Sequence, residues 1–253
     1  MKNPKSILIT GASSGIGEAL ALDYAEAHVT LFISGRNQER LKAVKSACIE
    51  RGALVYEKII DVSDQDKMQQ WIEECDAVTS LDLVIANAGI SSSIPANQDL
   101  SRHVKDIFKI NVDGVFHTVH PSLQVMKRRN QGQIAIVSSI AGYRGLPSSP
   151  AYSASKVAVK AYGEALRGLY HHQGIKINVI CPGFVKSRLT AKNKFSMPFL
   201  MDAKKSAKII RHGLAKNKGR ITFPWQMKII MGSMVRFLPE FLLEAVFRKM
   251  PKK

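Results

Sequence analysis

Along the chain, compact apolar runs alternate with longer stretches in which apolar residues recur every three or four positions. The first run, Lys5-Ser6-Ile7-Leu8-Ile9-Thr10, stops at Gly11, and residues 16–27 then take up helical spacing. Strand-like 29–34, helix-like 38–51, strand-like 53–60, helix-like 64–78 and strand-like 81–86 follow, then a long helical stretch over 98–129 and strand-like 133–138. A helix over 152–170 and a strand over 175–180 complete the series. Strands separated by helices of this length need crossover connections, which are right-handed. The pattern predicts an α/β fold with a doubly wound parallel sheet, as one domain over residues 1–223. Beyond it, residues 224–253 change character and form a basic, apolar helical extension.

Where the first strand meets the first helix, Thr10-Gly11-Ala12-Ser13-Ser14-Gly15-Ile16-Gly17 places three glycines. Glycine there permits a tight turn, close approach of the backbone to a pyrophosphate, and close packing of helix on strand. The helix N-terminus adds unpaired N–H donors and a favourable dipole. A glycine-rich turn between a strand and a helix is the context that dinucleotide binding requires. The second strand ends Ser34-Gly35-Arg36-Asn37, with no carboxylate for the ribose 2′-hydroxyl of NAD. A guanidinium at Arg36, with Ser34 or Asn37 as neutral donors, suits a 2′-phosphate and points to NADP. A solvated arginine at a helix start is the alternative reading of Arg36.

Tyr152-Ser153-Ala154-Ser155-Lys156 falls in a predicted helix, so Tyr152 and Lys156 share one face a turn apart. A fixed ammonium beside a phenol favours the phenolate and brings the phenolic proton within reach of acid–base chemistry.

With these elements in place, the chain resembles the short-chain dehydrogenase/reductase family from about residue 5 to about 190. The resemblance implies a Rossmann fold and a catalytic set of Asn111, Ser139, Tyr152 and Lys156. The serine is assigned by its spacing to Tyr152, and Ser138 lies beside it. Implied cofactor positions are Gly11, Ser13, Ser14, Gly15, Ile16 and Gly17, then Ser34, Arg36 and Asn37, and the adenine-side pair Asp61 and Val62. Further along they are Asn87-Ala88-Gly89, Tyr152 and Lys156 again, and the turn Pro182-Gly183 with Val185 and Ser187, the last where many members have threonine. The implied activity is NADP(H)-dependent reduction of a carbonyl, with Ser139 and Tyr152 stabilising the developing oxyanion. In it Tyr152 donates the proton, Lys156 holds the nicotinamide ribose, and Asn111 positions a water. Oxidation of a small hydroxy compound is the alternative within the class. A cofactor-sensing binding protein recruited to membranes or nucleic acid is disfavoured, because all four catalytic positions are filled. A homodimer or tetramer is implied as well.

Composition narrows the setting. The 253 residues carry a formal net charge of +17. Residues 1–185 hold 20 basic against 17 acidic side chains, whereas 186–253 hold 17 against 3. The basicity therefore belongs to the tail and points to an anionic surface as partner for that end, with nucleic acid disfavoured. Cys48, Cys75 and Cys181 are far apart and in no metal-ligand spacing, so they read as reduced packing residues in a cytoplasmic protein. His117 and His120 lack a third ligand in the sequence and are set aside as metal ligands, so no metal is expected.

Residues 186–212 correspond to the family's substrate-covering region and read as a basic lid with scattered apolar residues, which suggests an apolar, lipid- or steroid-like substrate. The run from Phe223 to Leu238 and the stretch after Pro239 are apolar but interrupted by Lys228, Arg236, Glu240 and Glu244, too often for a membrane span. Two short amphipathic helices on the inner face of a membrane fit residues 221–253, with Trp225 near the headgroups and Arg248, Lys249, Lys252 and Lys253 toward anionic lipid. Closure of the substrate pocket, or a subunit interface, fits them equally well.

Overall fold

The structure, a computed structural model, describes residues 1–91, 99–191, 193, 195–237 and 239–248. Seven strands, β1 (Ser6–Thr10), β2 (Thr30–Gly35), β3 (Leu54–Ile59), β4 (Leu83–Ala86), β5 (Gly132–Val137), β6 (Ile175–Pro182) and β7 (Arg220–Phe223), form one sheet in the order β3-β2-β1-β4-β5-β6-β7. Every pairing is parallel. β1, β4 and β5 are buried along their whole length, which is why they read as unbroken apolar runs and not as alternating ones.

Helices cover both faces. α1 (Gly15–Tyr24), α2 (Gln38–Ile49) and α7 (Ala203–Ala215) bury Leu20, Leu41 and Ile210 against one side of the sheet. On the other side α3 (Gln65–Val78), α5 (Gly114–Lys127) and α6 (Pro150–Leu169) bury Met68, Val119 and Val159, with α4 (Leu100–Phe108) leading into α5. Each large apolar side chain fully buried in these layers contributes about 1.5–3 kcal/mol. Polar residues set the helix starts. Asn37 Oδ1 accepts from the Arg40 amide at 2.9 Å, Asp64 Oδ1 from Lys67 at 3.2 Å and Asp202 Oδ1 from Lys204 at 2.8 Å. Each cap contributes about 1 kcal/mol.

The predicted helical stretch over 98–129 is α4 and α5 joined by a π-helical turn at Lys109–Asp113, whereas residues 92–98 lie outside the described residues. Two elements differ from the sequence reading. Residues 203–215 are not part of a lid but helix α7, which packs on α1 and buries Ser206, Ala207, Ile210, Gly213 and Leu214. β7 adds a seventh strand beside β6 at the end of the predicted domain, where the sequence pattern predicts none.

The C-terminal stretch forms the two short helices that its pattern predicts, α8 (Trp225–Phe237) and α9 (Glu240–Arg248). No described helix is long and apolar enough to cross a membrane. Lys249, Lys252 and Lys253 lie outside the described residues, as do Lys192 and Lys194 in the basic stretch before α7.

Candidate active site

The strand order reverses between β1 and β4, and a cleft of about 490 Å³ opens at their carboxyl ends, where ligands bind in doubly wound sheets. The turn after β1 forms its floor. Gly11 sits at φ +66° and a Cβ on it would fall 2.8 Å from Ala88 Cα. Gly15 sits at φ +62°, with no room on its far side beyond Ser187. A Cβ on Gly17 would meet Asn87 Nδ2 and Gly11 O at 2.5 Å. Asn87 locks this packing, donating through Nδ2 to Thr10 O at 2.9 Å and Gly11 O at 3.2 Å. The backbone here is thus bare and closely held, and the α1 N-terminus opens beside it without a side-chain cap.

At the far end of the cleft stand Arg36, Asn37, Arg40, Asp61 and Val62. Arg36 is mostly exposed and its guanidinium lies 3.4 Å from Asp61 Oδ2. Asp61 also accepts from the Ser63 amide at 3.0 Å. Burial alone would raise its carboxyl; hydrogen bonds from Ser63 and the charge of Arg36 outweigh that and hold it below the usual range.

At the near end are Ser138, Ser139, Tyr152 and Lys156. The two serines divide cleanly. Ser138 donates to Lys156 O at 2.7 Å and so fixes α6 to the end of β5. Ser139 accepts from the Ala141 amide at 3.1 Å and reaches Pro182 O at 3.4 Å, while also bonding Tyr152. Lys156 is only 4% exposed, donates to Val137 O at 2.9 Å, and lies 5.8 Å from the Tyr152 ring centroid. Desolvation pulls its ammonium down to about 8. Tyr152 keeps part of its surface on the cleft, yet burial pushes its phenol up, opposed by the Ser139 hydrogen bond. The phenol thus stands above its ordinary value, contrary to the simple expectation that the neighbouring ammonium lowers it.

Asn111 occupies the π-helical turn, fully buried behind the cleft. Its Oδ1 accepts from Ile90 N at 2.8 Å, and its Nδ2 donates to Ile90 O at 2.9 Å and Ser155 Oγ at 3.0 Å. One side chain therefore joins the turn, the loop after β4 and helix α6. A Cβ on Gly89 would meet Asn111 Oδ1 at 3.2 Å and Lys156 Nζ at 3.4 Å, so this corner is tightly filled.

Residues 5–197 match the family profile described as short chain dehydrogenase. The chain belongs to the short-chain dehydrogenase/reductase family. An uncharacterized oxidoreductase of Myxococcus xanthus (strain DK1622) is 37% identical to it over 247 residues, 97% of either chain. A 3beta-hydroxysteroid dehydrogenase of Mediterraneibacter gnavus is 35% identical over 75% of this chain and 69% of its own. Two solved members share the fold. A Burkholderia phymatum short chain dehydrogenase/reductase in complex with NAD superposes with TM-score 0.83 at 20% identity, over 100% of this chain and 98% of that one. A Sphingobium yanoikuyae short-chain dehydrogenase in complex with NADPH does so at 0.80 and 18%, over 97% and 96%. As a short-chain dehydrogenase/reductase this chain is an oxidoreductase that uses a nicotinamide cofactor and acts on a small molecule.

The residues of this dehydrogenase fit such a cofactor, since the bare glycine cradle leaves its floor to a ligand and not to side chains. Gly11, Ser13, Ser14, Gly15, Ile16, Arg36, Asn37, Asp61, Val62, Asn87, Ala88, Gly89, Pro182, Gly183, Val185 and Ser187 all line the cleft. Three expected positions do not. Gly17 and Asn111 lie behind it, and Ser34 is fully buried, so its hydroxyl is no donor toward a 2′-phosphate. Asn37 spends its Oδ1 on the α2 cap. Arg40, one helical turn on, lines the cleft instead and escaped the sequence reading because it looks like a surface helix residue. Thr190 was also missed. Its hydroxyl donates to Val185 O at 2.7 Å and accepts from Ser187 N at 3.0 Å, shaping the loop after β6. His117, set aside as a ligand, hydrogen-bonds Val62 O at 3.0 Å and steadies the Asp61–Val62 end of the cleft.

Proposed function

We propose that the protein is an NADP(H)-dependent carbonyl reductase in which Tyr152 donates the proton. The observation that carries this reading is the buried Ser139–Tyr152–Lys156 group opening onto a cleft whose other end presents Arg36 and Arg40. The reduced nicotinamide, when bound, supplies the hydride to the carbonyl carbon. Ser139 and Tyr152 hydroxyls then face the oxygen on which negative charge develops, and donors placed beforehand stabilise such charge without reorganisation. An alkoxide is far more basic than a phenolate, so Tyr152 gives up its proton to it even with a raised pKa. That raised pKa keeps the phenol protonated at neutral pH, the form needed for reduction. Lys156, held by Val137 O, faces the ribose side and is positioned to help restore the proton. Arg36 and Arg40 favour a 2′-phosphate, and a pool of NADP kept reduced in cells favours the reductive direction.

The apolar lining from Ile90, Ile110, Val185 and Leu189, and the likeness to a hydroxysteroid dehydrogenase, support an apolar ketone or aldehyde of lipid or steroid kind as substrate. The same reading has the enzyme act in the cytoplasm as a homodimer or tetramer, with residues 221–253 against the inner face of an anionic membrane. Tyr152→Phe tests the chemistry. It is expected to lower turnover on a panel of long-chain and steroidal ketones by about a thousandfold while NADPH binding, followed by fluorescence, stays within about twofold. Undiminished turnover in that variant overturns the assignment.

A further inference from the structure

Helices α8 and α9 turn some apolar side chains toward the fold and others outward. Met231 and Leu243 are buried, with Met227 and Met234 packed beside them against Tyr143 and Leu146, just past the short helical turn at Ile140–Gly142 that follows Ser139. Outward they carry Trp225 at 66% exposure, with Ile229, Ile230, Phe241 and Leu242 also exposed. Several large apolar side chains turned outward on two adjoining short helices mark an interaction surface.

Charge selects the occupant. Beside α8 lies a groove of about 330 Å³ into which α7 sends Lys205, Lys208 and His212, the β7 end sends Lys218 and Arg220, and α8 itself sends Lys228. Arg220 is answered by Glu164 at 3.0 Å. Among the described residues no carboxylate lies within ion-pairing distance of Lys205, Lys208, Lys218 or Lys228. Glu240, an acidic group at the start of α9, is committed to a two-pronged pair with Arg144. Lys228 joins the two features, since it lines the groove while its chain neighbour Ile229 is exposed. A second copy of this chain docking symmetrically would bring cation onto cation. A bilayer supplies both complements, acyl chains for the apolar face and phosphate headgroups for the groove.

We infer that the outward side chains of α8 and α9 and the α7–β7–α8 groove form one docking surface for an anionic phospholipid bilayer, a refinement that rests on the membrane reading of the tail and is separable from the chemistry at Tyr152. Apolar side chains enter the headgroup boundary while Lys205, Lys208, Lys218 and Lys228 bind lipid phosphates. Because the inward side chains of the same helices pack on the loop after Ser139, docking sets the substrate side of the cleft beside the membrane.

The test uses the full-length protein with vesicles of neutral phosphatidylcholine, alone or with about a third phosphatidylglycerol. Trp71 is buried, so of the two tryptophans only Trp225 can respond strongly to a change of surroundings. Anionic vesicles at low salt are expected to bind the protein and shift its emission to the blue, with high salt reversing both. A K205Q/K208Q/K228Q variant is expected to bind about a hundredfold more weakly, and W225S/F241S to lose the stable association. Both should keep wild-type turnover on a soluble ketone, which separates loss of docking from loss of fold or chemistry. Absence of binding to anionic vesicles at low salt overturns the proposal. So does binding that the lysine variant leaves unchanged. A blue shift that grows with protein concentration in the absence of vesicles, together with a dimer in light scattering that W225S/F241S abolishes, overturns it in favour of an interface between copies.

Discussion

At the scale of single residues, the cofactor end of the cleft offers the sharpest contrast between what a sequence can and cannot carry. Arg36 was legible because it stands where an acidic residue belongs in an NAD site, immediately after a predicted strand. Arg40 was not, because only the turn of α2 brings it round to the same opening. The structure gives Arg36 a weak, exposed partner in Asp61, so the guanidinium is not committed. Arg36→Asp is accordingly expected to raise the KM for NADPH by about tenfold to a hundredfold and to improve the use of NADH, read as the ratio of kcat/KM for the two cofactors. Arg40→Ala should move that ratio in the same direction by a smaller factor. An unchanged ratio in both variants argues that neither guanidinium meets a 2′-phosphate. The choice between Ser138 and Ser139 was likewise beyond spacing alone, and geometry separates them: Ser138 holds the backbone of α6, and Ser139 the phenol.

Among elements, the first six strands and the helices between them were readable because buried parallel strands give unbroken apolar runs and the helices show a different period. Helix α7 was misread because the face it buries against α1 is built largely of small residues, Ser206, Ala207 and Gly213, which carry little apolar signal. β7 has only four residues and one continuous partner strand. The π-helical turn between α4 and α5 is invisible to periodicity, since one extra residue per turn shifts the pattern only slightly. Its effect is large nonetheless. It brings Asn111 into the interior, where a single amide satisfies both backbone groups of Ile90 and the Ser155 hydroxyl. Asn111→Ala removes these partners and leaves buried groups unsatisfied, so a stability loss of about 2–3 kcal/mol is expected, measured by urea unfolding, together with loss of turnover. Asn111→Ala with wild-type stability would show that the loop after β4 is held by other contacts. Gly17→Ala belongs to the same scale. Its Cβ would collide with Asn87 and Gly11 O, so α1 must back away from β1, and NADPH binding should weaken about tenfold or more by fluorescence titration.

For the whole molecule, pH couples the buried thiols to stability in a direction that can be worked out. Cys48, Cys75 and Cys181 are wholly buried, and burial pushes their thiols up, Cys48 to about 11 and Cys181 to about 12, with Cys75 raised further. In the unfolded chain each ionises near its ordinary value, about 8.5. Above that value the unfolded state holds fewer protons than the native one, so stability falls as pH rises, by up to about 1.4 kcal/mol per pH unit for each thiol. Lys156 acts in the opposite sense. Its native value of about 8 lies below its ordinary one, so between about 8 and 10.5 the unfolded chain holds the extra proton and stability gains. Three thiols outweigh one lysine. Unfolding free energy should therefore decline steadily from about pH 9 to 11, measured by urea denaturation at constant ionic strength, and a variant with all three cysteines changed to alanine should lose the decline below about pH 10, where only the thiols act, and keep the part above it that the raised phenols of Tyr24 and Tyr152 contribute, while starting from a lower stability because of the cavities it creates. A wild-type curve that stays flat or rises over this interval would mean that the thiols ionise while still folded, and that the packing around them is looser than the structure describes.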